Sequence, residues 1–304
     1  MNQNQKTVLV TGGCGFIGKH LVNRLSQLGY KTTIIDNLSV GKKNTLPPHT
    51  KLIKANIENP SIEKIFQKVK PQIVYHLAAD NRVTSPPEAT IKANVIGTFN
   101  ILKCSQKAKI KQLIFTSSAA VYGESQTLPI TETHPTKPIS AYGISKLTGE
   151  LYCQQFEKYL KTSIFRFANV FGPGQNCSSE GGVVAIFINQ LLKGKKPIIY
   201  GTGQQTRDFI FVNDVVDALT SALKKPQSFC LNIGSNQSTS IKKLLNLTAK
   251  LLNKKPAFIK KPARPAEIEK SLFSHQKATK ILKWKPKTSL KTGLIKTIDY
   301  FQTL

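Results

Sequence analysis

The sequence predicts an α/β protein in which a doubly wound parallel sheet is joined to a smaller α/β unit. Short, continuously apolar segments alternate with amphipathic segments through the first half of the chain, as expected for parallel strands covered by helices on both faces. From about Phe171 the alternation weakens, and glycine and proline become frequent. We therefore assign residues 1–170 and a returning segment at about 209–235 to the main sheet, and residues 171–304 mainly to the smaller unit.

The individual elements follow from these patterns in chain order. Strands are expected at Thr7–Thr11, Lys31–Asp36, Lys51–Asn56, Ile73–Leu77, Gln112–Ser117 and Ser163–Asn169. Helices are expected at Ile17–Leu28, Ser61–Val69, Ile91–Lys107 and Tyr142–Leu160. In the second half, Asp214–Leu223 is a predicted helix and Cys230–Ile233 a predicted strand that returns to the main sheet.

The composition narrows the classes of function. The formal net charge is +28, but lysines are spread along the whole chain and few lie in dense blocks. Arginines are few: Arg24, Arg82, Arg166, Arg207 and Arg264. Nucleic-acid interfaces usually gather charge on one face, often with arginine, so this pattern favours a solvated lysine surface that attracts small anions. We expect no nucleic-acid partner.

No apolar run approaches the roughly 20 residues that span a bilayer, and the N-terminus is polar and lacks the pattern of a signal peptide. We therefore expect a cytoplasmic protein without a membrane segment. The five cysteines are scattered, which argues against disulfides and against a zinc site, so no metal is expected. Cys14 lies inside a glycine-rich turn, where a reactive thiol would make ligand binding thiol-sensitive.

That turn is the first functional signal. The strand ending at Thr11 runs through Gly12, Gly13, Gly15 and Gly18 into a predicted helix. In such a turn one glycine permits the sharp bend, another lets the backbone approach a pyrophosphate, and a third allows close packing of helix and strand. The sequence therefore predicts that residues 1–170 bind a dinucleotide.

Asp36 ends the next predicted strand, where a carboxylate can accept hydrogen bonds from the ribose hydroxyls. The same charge would repel a 2′-phosphate, so NAD is favoured over NADP. Lys42 and Lys43 follow closely and leave NADP open.

A second constellation predicts proton chemistry. Tyr142 and Lys146 are four residues apart on a predicted helix, and Ser118 follows an apolar strand. An ammonium beside a phenol favours the phenolate, so we expect Lys146 to lower the pKa of Tyr142. Such a tyrosine suits proton transfer from a sugar hydroxyl.

Several motifs occur in order along the chain and together cover nearly all of it. They are Thr-Gly-Gly-Cys-Gly-Phe-Ile-Gly (11–18), Ile-Asp-Asn-Leu-Ser (35–39), His-Leu-Ala-Ala (76–79), Asn-Val-Ile-Gly-Thr (94–98), Ser-Ser-Ala-Ala-Val-Tyr-Gly (117–123), Tyr-Gly-Ile-Ser-Lys (142–146), Asn-Val-Phe-Gly-Pro-Gly-Gln (169–175), Tyr-Gly-Thr-Gly-Gln-Gln-Thr-Arg-Asp-Phe (200–209) and Arg-Pro-Ala-Glu-Ile (264–268). With them the chain resembles extended short-chain dehydrogenases/reductases of the sugar-nucleotide epimerase/dehydratase family.

The resemblance implies roles for individual residues. Ser118, Tyr142 and Lys146 would be catalytic. The residues implied to bind NAD are Gly12, Gly15, Phe16, Ile17, Gly18, Asp36, Asn37, Asn56, Ile57, Leu77, Ala78, Ala79, Asn94 and Lys146. The residues implied to bind a UDP-sugar are Ser118, Tyr142, Asn169, Arg207, Arg264 and Ser271, with the two arginines on the diphosphate; for Arg207 an ion pair with Asp208 is the structural alternative.

The resemblance also bears on the reaction. Dehydratases and decarboxylases of this family carry carboxylates directly after the active-site hydroxyl, whereas this chain has Ala119 and Ala120. Alanine cannot transfer a proton, so inversion of C4 through a transient 4-keto sugar is the leading reaction. Ser271 stands where the family gates the C2 substituent, and its small side chain is compatible with UDP-Glc/UDP-Gal and with UDP-GlcNAc/UDP-GalNAc.

Other possibilities remain open. They are a UDP-glucuronate 4-epimerase, a reductase or 3,5-epimerase/reductase of the same family, and a non-catalytic dinucleotide-binding sensor. Asn56 stands where the family usually has aspartate, Ala266 replaces a usual glycine, and Arg82 could contact substrate or pair with Asp80. The helices at Ile91–Lys107 and Tyr142–Leu160 resemble those through which family members dimerise, so we expect a homodimer.

Overall fold

A computed structural model describes residues 6–41, 46–47, 50–81, 85–178, 182–264 and 268–304. Its strands are β1 (Thr7–Thr11), β2 (Lys31–Asp36), β3 (Lys51–Lys54), β4 (Ile73–His76), β5 (Gln112–Ser118), β6 (Lys161–Phe167), β7 (Asn169–Phe171), β8 (Ile198–Tyr200), β9 (Thr206–Phe211), β10 (Phe229–Ile233), β11 (Ser238–Ser240) and β12 (Ile259–Lys261). Its α-helices are α1 (Phe16–Gln27), α2 (Ile62–Val69), α3 (Pro87–Thr90), α4 (Gly97–Lys107), α5 (Ala141–Phe156), α6 (Val183–Leu192), α7 (Val212–Ser221), α8 (Ile241–Leu251), α9 (Gln276–Leu282) and α10 (Leu290–Gln302).

The main sheet has seven strands in the order β10-β6-β5-β4-β1-β2-β3. Each neighbouring pair is parallel. The predicted doubly wound fold is therefore confirmed, and β10 lies at the edge of the sheet beside β6.

Both faces of this sheet are buried because consecutive strand residues face opposite layers. Val8 and Val10 pack with Leu21 of α1 and Val215 of α7 in one apolar cluster. Between them along the strand, Leu9 belongs to a second cluster with residues of α2, α4 and α5. This two-sided burial explains why the strands read as continuous apolar runs.

The chain reverses its direction of winding between β1 and β4, which are neighbours in the sheet although β2 and β3 lie between them in sequence. The carboxyl ends of parallel strands border an open crevice at such a switch point, and ligands bind there in sheets of this class. The glycine-rich turn follows β1 at this position.

The second half of the chain forms smaller sheets. Strands β11, β9 and β7 make one, and β12 pairs with β8 in another. A third apolar cluster joins them to α6, α8 and α10 through residues such as Phe187, Phe209, Leu244 and Leu294.

One predicted helix differs in the structure. The segment expected as a single helix at Ile91–Lys107 consists of α3, a π-helical stretch at Ile91–Ile96 and then α4. A π-helix contains an extra residue per turn and changes which side chains face inward. Here the stretch contains Asn94, which is 2% exposed.

Across the described ranges, no helix combines the length and apolar character needed to cross a membrane.

Candidate active site

The glycine-rich turn packs closely against neighbouring backbone and leaves the start of α1 uncapped. Gly12 has a φ of +70°, and a Cβ there would stand 2.7 Å from the Ala78 nitrogen. A Cβ on Gly18 would overlap the Gly12 carbonyl oxygen. Helix α1 begins directly after Gly15 with no side-chain cap and no acidic residue in its first turn. Its first N–H groups are therefore available to an anion, and the turn fits a dinucleotide pyrophosphate.

Asp36 lies beside this turn at the end of β2 and is 9% exposed. One carboxylate oxygen accepts the Cys14 N–H at 2.9 Å, and the other accepts the Leu38 N–H at 2.8 Å. These bonds, together with a hydrogen bond to the Cys14 thiol, fix the position of the carboxylate beside the turn, and its oxygens can accept further hydrogen bonds from ribose hydroxyls. Lys42 and Lys43 lie outside the described residues.

The thiol of Cys14 is buried below the turn. Burial and the neighbouring Asp36 carboxylate raise its pKa to about 11, so it is a protonated thiol at neutral pH. The thiol-sensitivity considered from the sequence is not supported by this environment. All five cysteines are free.

The other residues implied to bind the cofactor border the same crevice on both sides of β1. Leu77, Ala78 and Ala79 are half-buried after β4, and the Leu77 N–H donates to the Thr11 carbonyl at 3.1 Å. Asn37 and Asn56 are exposed beyond β2 and β3, whereas Ile57 is 6% exposed. Phe16 and Ile17 form the half-buried start of α1.

Asn94 is committed to contacts within the protein. Its Nδ2 donates to the Asp80 carbonyl at 2.8 Å and to the Ser145 hydroxyl at 2.9 Å, while its Oδ1 accepts the Asp80 N–H at 2.7 Å. These bonds join the loop after β4 to helix α5. The described contacts therefore give Asn94 a part in shaping the crevice.

Ser118, Tyr142 and Lys146 come together at the carboxyl end of β5. Ser118 is the last residue of the strand, and its side chain hydrogen-bonds Tyr142 in the first turn of α5. Lys146 lies one turn later and is 4% exposed. Its Nζ donates to the Thr116 carbonyl at 2.8 Å and lies 5.9 Å from the centre of the Tyr142 ring.

The expected effect of Lys146 on Tyr142 is wrong for the protein by itself. Desolvation raises the pKa of the Tyr142 phenol, and the hydrogen bond from Ser118 offsets this only in part. Lys146 is subject to the same environment: burial lowers its pKa to about 8, with Glu150 and Cys153 opposing the shift. Burial thus outweighs the attraction between the two side chains, and Tyr142 is held as a neutral phenol.

Ala119 and Ala120 begin a 3₁₀ turn directly after Ser118. The Ala120 carbonyl lies so close to Gly143 that a Cβ there would approach it to 2.5 Å. Apolar side chains and tightly packed backbone therefore occupy the positions next to the reactive hydroxyls.

The residues implied to hold the substrate lie on different segments. Arg207 is half-buried on β9, and its Nη1 donates to the Thr206 carbonyl at 2.8 Å. Ser271 lies beside the start of β9, because its N–H donates to the Thr206 carbonyl at 3.2 Å. Asn169 is exposed at the start of β7, which pairs with β9. The structure thus places these three near one another.

Arg264 makes its described contact with a different residue, Tyr200. It is exposed, and its guanidinium stacks 4.0 Å from the centre of the Tyr200 ring at the end of β8. Arg82 and Ala266 lie outside the described residues.

The alternative pairing of Arg207 with Asp208 does not form. Asp208 is fully buried, and its oxygens accept from Ser235, Asn236 and Phe273. Successive residues of a strand face opposite sides, so Asp208 points away from Arg207.

One buried charged pair close to Lys146 was not predicted from the sequence. Glu150, one turn beyond Lys146 on α5, accepts three hydrogen bonds from Arg166 of β6: Nη2 to Oε2 at 2.6 Å, Nε to Oε1 at 2.9 Å and Nε to Oε2 at 3.2 Å. The spacing of Tyr142, Lys146 and Glu150 by four residues was the signal that could have found it. Within the described ranges, no set of three or more His, Cys, Asp or Glu side chains is arranged to hold a metal ion.

Comparison with known proteins agrees with this geometry. Residues 8–234 match the NAD dependent epimerase/dehydratase family. The chain is 36% identical to a putative UDP-glucose 4-epimerase of Methanocaldococcus jannaschii, over 97% of this chain and 98% of the relative.

Two solved structures share the fold over nearly their whole length. UDP-glucose 4-epimerase of Thermotoga maritima with UDP-glucose superposes with a TM-score of 0.96 at 38% identity, covering 98% of this chain and 99% of the other. UDP-glucose 4-epimerase of Thermus thermophilus in complex with NAD gives a TM-score of 0.93 at 32% identity, covering 97% and 99%.

Proposed function

The chain belongs to the NAD-dependent epimerase/dehydratase family, and from this premise we propose that it inverts C4 of a UDP-sugar, either UDP-Glc/UDP-Gal or UDP-GlcNAc/UDP-GalNAc. One observation carries the choice of reaction. Ala119 and Ala120 follow Ser118 at the catalytic end of β5, where elimination or decarboxylation would call for a carboxylate. The nearby Glu150 is held by Arg166 and Ser117 and is 1% exposed, so it does not replace that carboxylate.

The cofactor would occupy the crevice between β1 and β4. The turn from Gly12 to Gly18 and the start of α1 would hold its pyrophosphate, and Asp36 its adenosine ribose. The group held there would supply reversible acceptance of a hydride and, in its oxidised form, a positive charge near the substrate.

Proton movement then falls to residues of this chain. Tyr142 takes the proton of the 4-hydroxyl and returns it after the sugar has turned over, while Ser118 hydrogen-bonds the same oxygen. Because burial holds the phenol protonated in the protein by itself, Tyr142 needs positive charge in the loaded site to act as a base. The Lys146 ammonium is the protein's own contribution to that charge.

Substrate binding is assigned to the segments around β9. Arg207 and Arg264 bind the diphosphate, because a guanidinium can contact phosphate oxygens in a bidentate manner. Asn169 and Ser271 border the sugar, and the small Ser271 leaves room at C2. The exposed position of Arg264 on Tyr200 suits a residue that moves onto the diphosphate when it binds.

We also propose a homodimer formed through α4 and α5. These neighbouring helices present apolar side chains to the surface: Phe99 is 38% exposed, Ile144 54% and Leu151 53%. Ile96, the last residue of the π-helical stretch before α4, is 44% exposed. The Phe99 and Tyr152 rings contact each other at 5.4 Å, so the exposed groups of the two helices form one patch. Contiguous apolar patches of this kind mark protein–protein interfaces.

The assay for the reaction uses the purified protein without added cofactor. UDP-Glc, UDP-GlcNAc and UDP-GlcA are supplied separately, and NMR of the sugar ring reports inversion at C4. We expect inversion of at least one of the first two, and inversion of UDP-GlcA alone would establish the glucuronate alternative. No inversion of any of the three would refute the proposal. Stoichiometric consumption of NAD(P)H, when it is supplied in a parallel reaction, would instead identify a reductase.

A matched pair of variants tests the assigned base. Tyr142→Phe removes the phenol, and turnover should fall by at least about 100-fold, the usual contribution of a positioned acid–base group. Tyr159→Phe makes the same change at a tyrosine that is 54% exposed beyond α5, and its turnover should match the unmodified protein. Full activity in Tyr142→Phe would show that another group takes the proton.

A further inference from the structure

Glu150 of α5 and Arg166 of β6 form a buried charged pair where the helix packs on the sheet. Glu150 is 1% exposed and Arg166 6% exposed. Besides the contacts with Glu150, Arg166 donates from Nη1 to the Tyr122 hydroxyl at 2.8 Å. Charges are costly to bury, and a pair of apolar side chains would fill this space at lower cost, so stability alone is a weak explanation for the pair.

The location of the pair suggests another explanation. Tyr142, Lys146 and Glu150 are spaced by four residues and lie on one face of α5. That face is bound to three successive residues at the end of β5: the Lys146 ammonium donates to the Thr116 carbonyl, the Ser117 hydroxyl donates to Glu150 at 2.5 Å, and Ser118 hydrogen-bonds Tyr142. Glu150 is thus part of the same contact between strand and helix that builds the catalytic site.

We propose that Glu150 is a positioning residue that keeps buried Lys146 in its ammonium form, and that Arg166 and Ser117 hold the carboxylate in place for this purpose. A buried ammonium without a nearby negative charge loses its proton readily. Ser117 and Arg166 together occupy both oxygens of Glu150, which fixes the distance between carboxylate and ammonium. Glu150 touches neither substrate nor cofactor in this proposal and acts only through Lys146.

The remaining charges around Lys146 leave Glu150 as the main source of negative potential. On α5 itself, Cys153 also favours the ammonium, but as a buried thiol whose pKa is raised by burial. His76 of β4 is buried, and burial followed by the Lys146 charge lowers its pKa to about 3, so it is neutral. Arg166 of β6 is the positive group nearest Glu150 in the described contacts and is bonded to its carboxylate. The charged groups on the helices packed against α5 are exposed: Glu88, Lys92, Lys103 and Lys107.

The direction of the effect on Lys146 agrees with this arrangement. Burial lowers its pKa to about 8, and Glu150 is the largest contribution that opposes the shift. Replacing Glu150 by an uncharged residue should therefore let the lysine lose its proton at a lower pH.

The direct test is an NMR titration of protein labelled with ¹³C at lysine Cε. Exposed lysines stay protonated below pH ~9, so a resonance that titrates near pH 8 and is absent from Lys146→Arg belongs to Lys146. In Glu150→Gln we expect its midpoint to fall by about 1 pH unit or more, as for the loss of one close opposite charge. Glu150→Asp, which keeps the charge, should restore most of the shift.

Two further variants separate positioning from a structural role. Glu150→Gln/Arg166→Met removes both charges of the pair and so leaves no unpaired guanidinium buried. It keeps the test available if Glu150→Gln alone fails to fold, and the Lys146 midpoint should still fall. Asp214→Asn is the matched control, because it neutralises another carboxylate on a residue only 3% exposed, which lies on α7 and accepts the Thr288 N–H. Its Lys146 midpoint should not move. A midpoint within about 0.3 pH units of the unmodified protein in both Glu150→Gln and Glu150→Gln/Arg166→Met would overturn the proposal.

The consequence for turnover rests on the proposed function. In Glu150→Gln the alkaline limb of the pH profile of kcat should shift to lower pH by the same number of pH units as the Lys146 midpoint. The titration needs no substrate, so it tests Glu150 even if the C4 reaction is refuted. A shifted midpoint with an unmoved alkaline limb would overturn the part of the proposal that links the ammonium to turnover.

Discussion

Because Gly12 has a left-handed backbone conformation, the loss of stability caused by Gly12→Ala can be predicted and measured. Gly12→Ala would place a Cβ 2.7 Å from the Ala78 nitrogen, 2.8 Å from its Cα and 2.9 Å from the Leu77 carbonyl carbon, all backbone atoms. This backbone cannot withdraw easily, because Leu77 and Ala78 both donate N–H bonds to Thr11, at 3.1 and 3.2 Å. The chain offers a control in Gly29→Ala, where φ is +78° and the Cβ would meet no atom within 4 Å.

The two substitutions share one cost and differ in the other. A non-glycine residue in the left-handed region costs about 1–2 kcal/mol, and this applies at both positions. Forcing a methyl group into tightly packed backbone adds about 1–3 kcal/mol, and this applies only at Gly12. We therefore expect the free energy of unfolding to fall by about 1–2 kcal/mol in Gly29→Ala and by about 2–5 kcal/mol in Gly12→Ala.

Urea unfolding of the NAD-free protein measures both values, with fluorescence of the single tryptophan, Trp284, as the probe; its side chain is 4% exposed and packs in the core. NAD binding by calorimetry adds a second readout, which should weaken in Gly12→Ala and stay unchanged in Gly29→Ala. Equal losses of stability at the two glycines would refute the reasoning, since close approach of the backbone would then add nothing to the conformational cost.

Three further predictions concern the same region. Burial, with a contribution from Lys146, lowers the pKa of His76 from 6.5 to about 3, so the unfolded chain binds a proton at a higher pH than the folded protein does. The free energy of unfolding is therefore unaffected by His76 above pH 6.5, falls as the pH drops, and is smaller by about 2 kcal/mol at pH 5. Acid unfolding of His76→Gln should no longer show this loss. Asp36→Asn removes the charge that would repel a 2′-phosphate, so the ratio of the NADP and NAD dissociation constants should fall about tenfold or more; an unchanged ratio in calorimetry would remove Asp36 from ribose recognition. Cys14, buried with a pKa of about 11, should react with iodoacetamide at pH 8 far more slowly than half-exposed Cys177, and mass spectrometry of the native protein would expose the opposite order.

The core of the fold could be predicted because its signals are local. The strands Thr7–Thr11 and Lys31–Asp36 have the predicted bounds, since each is a short run rich in β-branched residues. The doubly wound sheet follows from the repetition of such runs with helices between them. The pairing of Tyr142 with Lys146 could also be predicted from the sequence, because residues four apart on one helix lie on the same face.

The predictions that failed depended on the surroundings of a residue. The π-helical stretch at Ile91–Ile96 has no signal in its own apolar pattern, and Asn94 is placed there by bonds to Asp80 and Ser145. The pKa of Tyr142 rises because protein covers the phenol, and the adjacent positive charge expected from the sequence is too weak an influence to reverse this.

By itself, then, the sequence determined the order of strands and helices, the position of the glycine-rich turn and the side chains able to transfer a proton. These depend on periodicity and on residue type, which act over a few neighbouring residues. Only the tertiary structure decided which of those side chains contact one another and which charged groups are buried away from water. Glu150 and Arg166 lie 16 residues apart, on a helix and a strand, and only packing of the helix on the sheet brings them together beneath Lys146. Burial then sets the energies of the site, because a charge removed from water depends on the few groups that surround it.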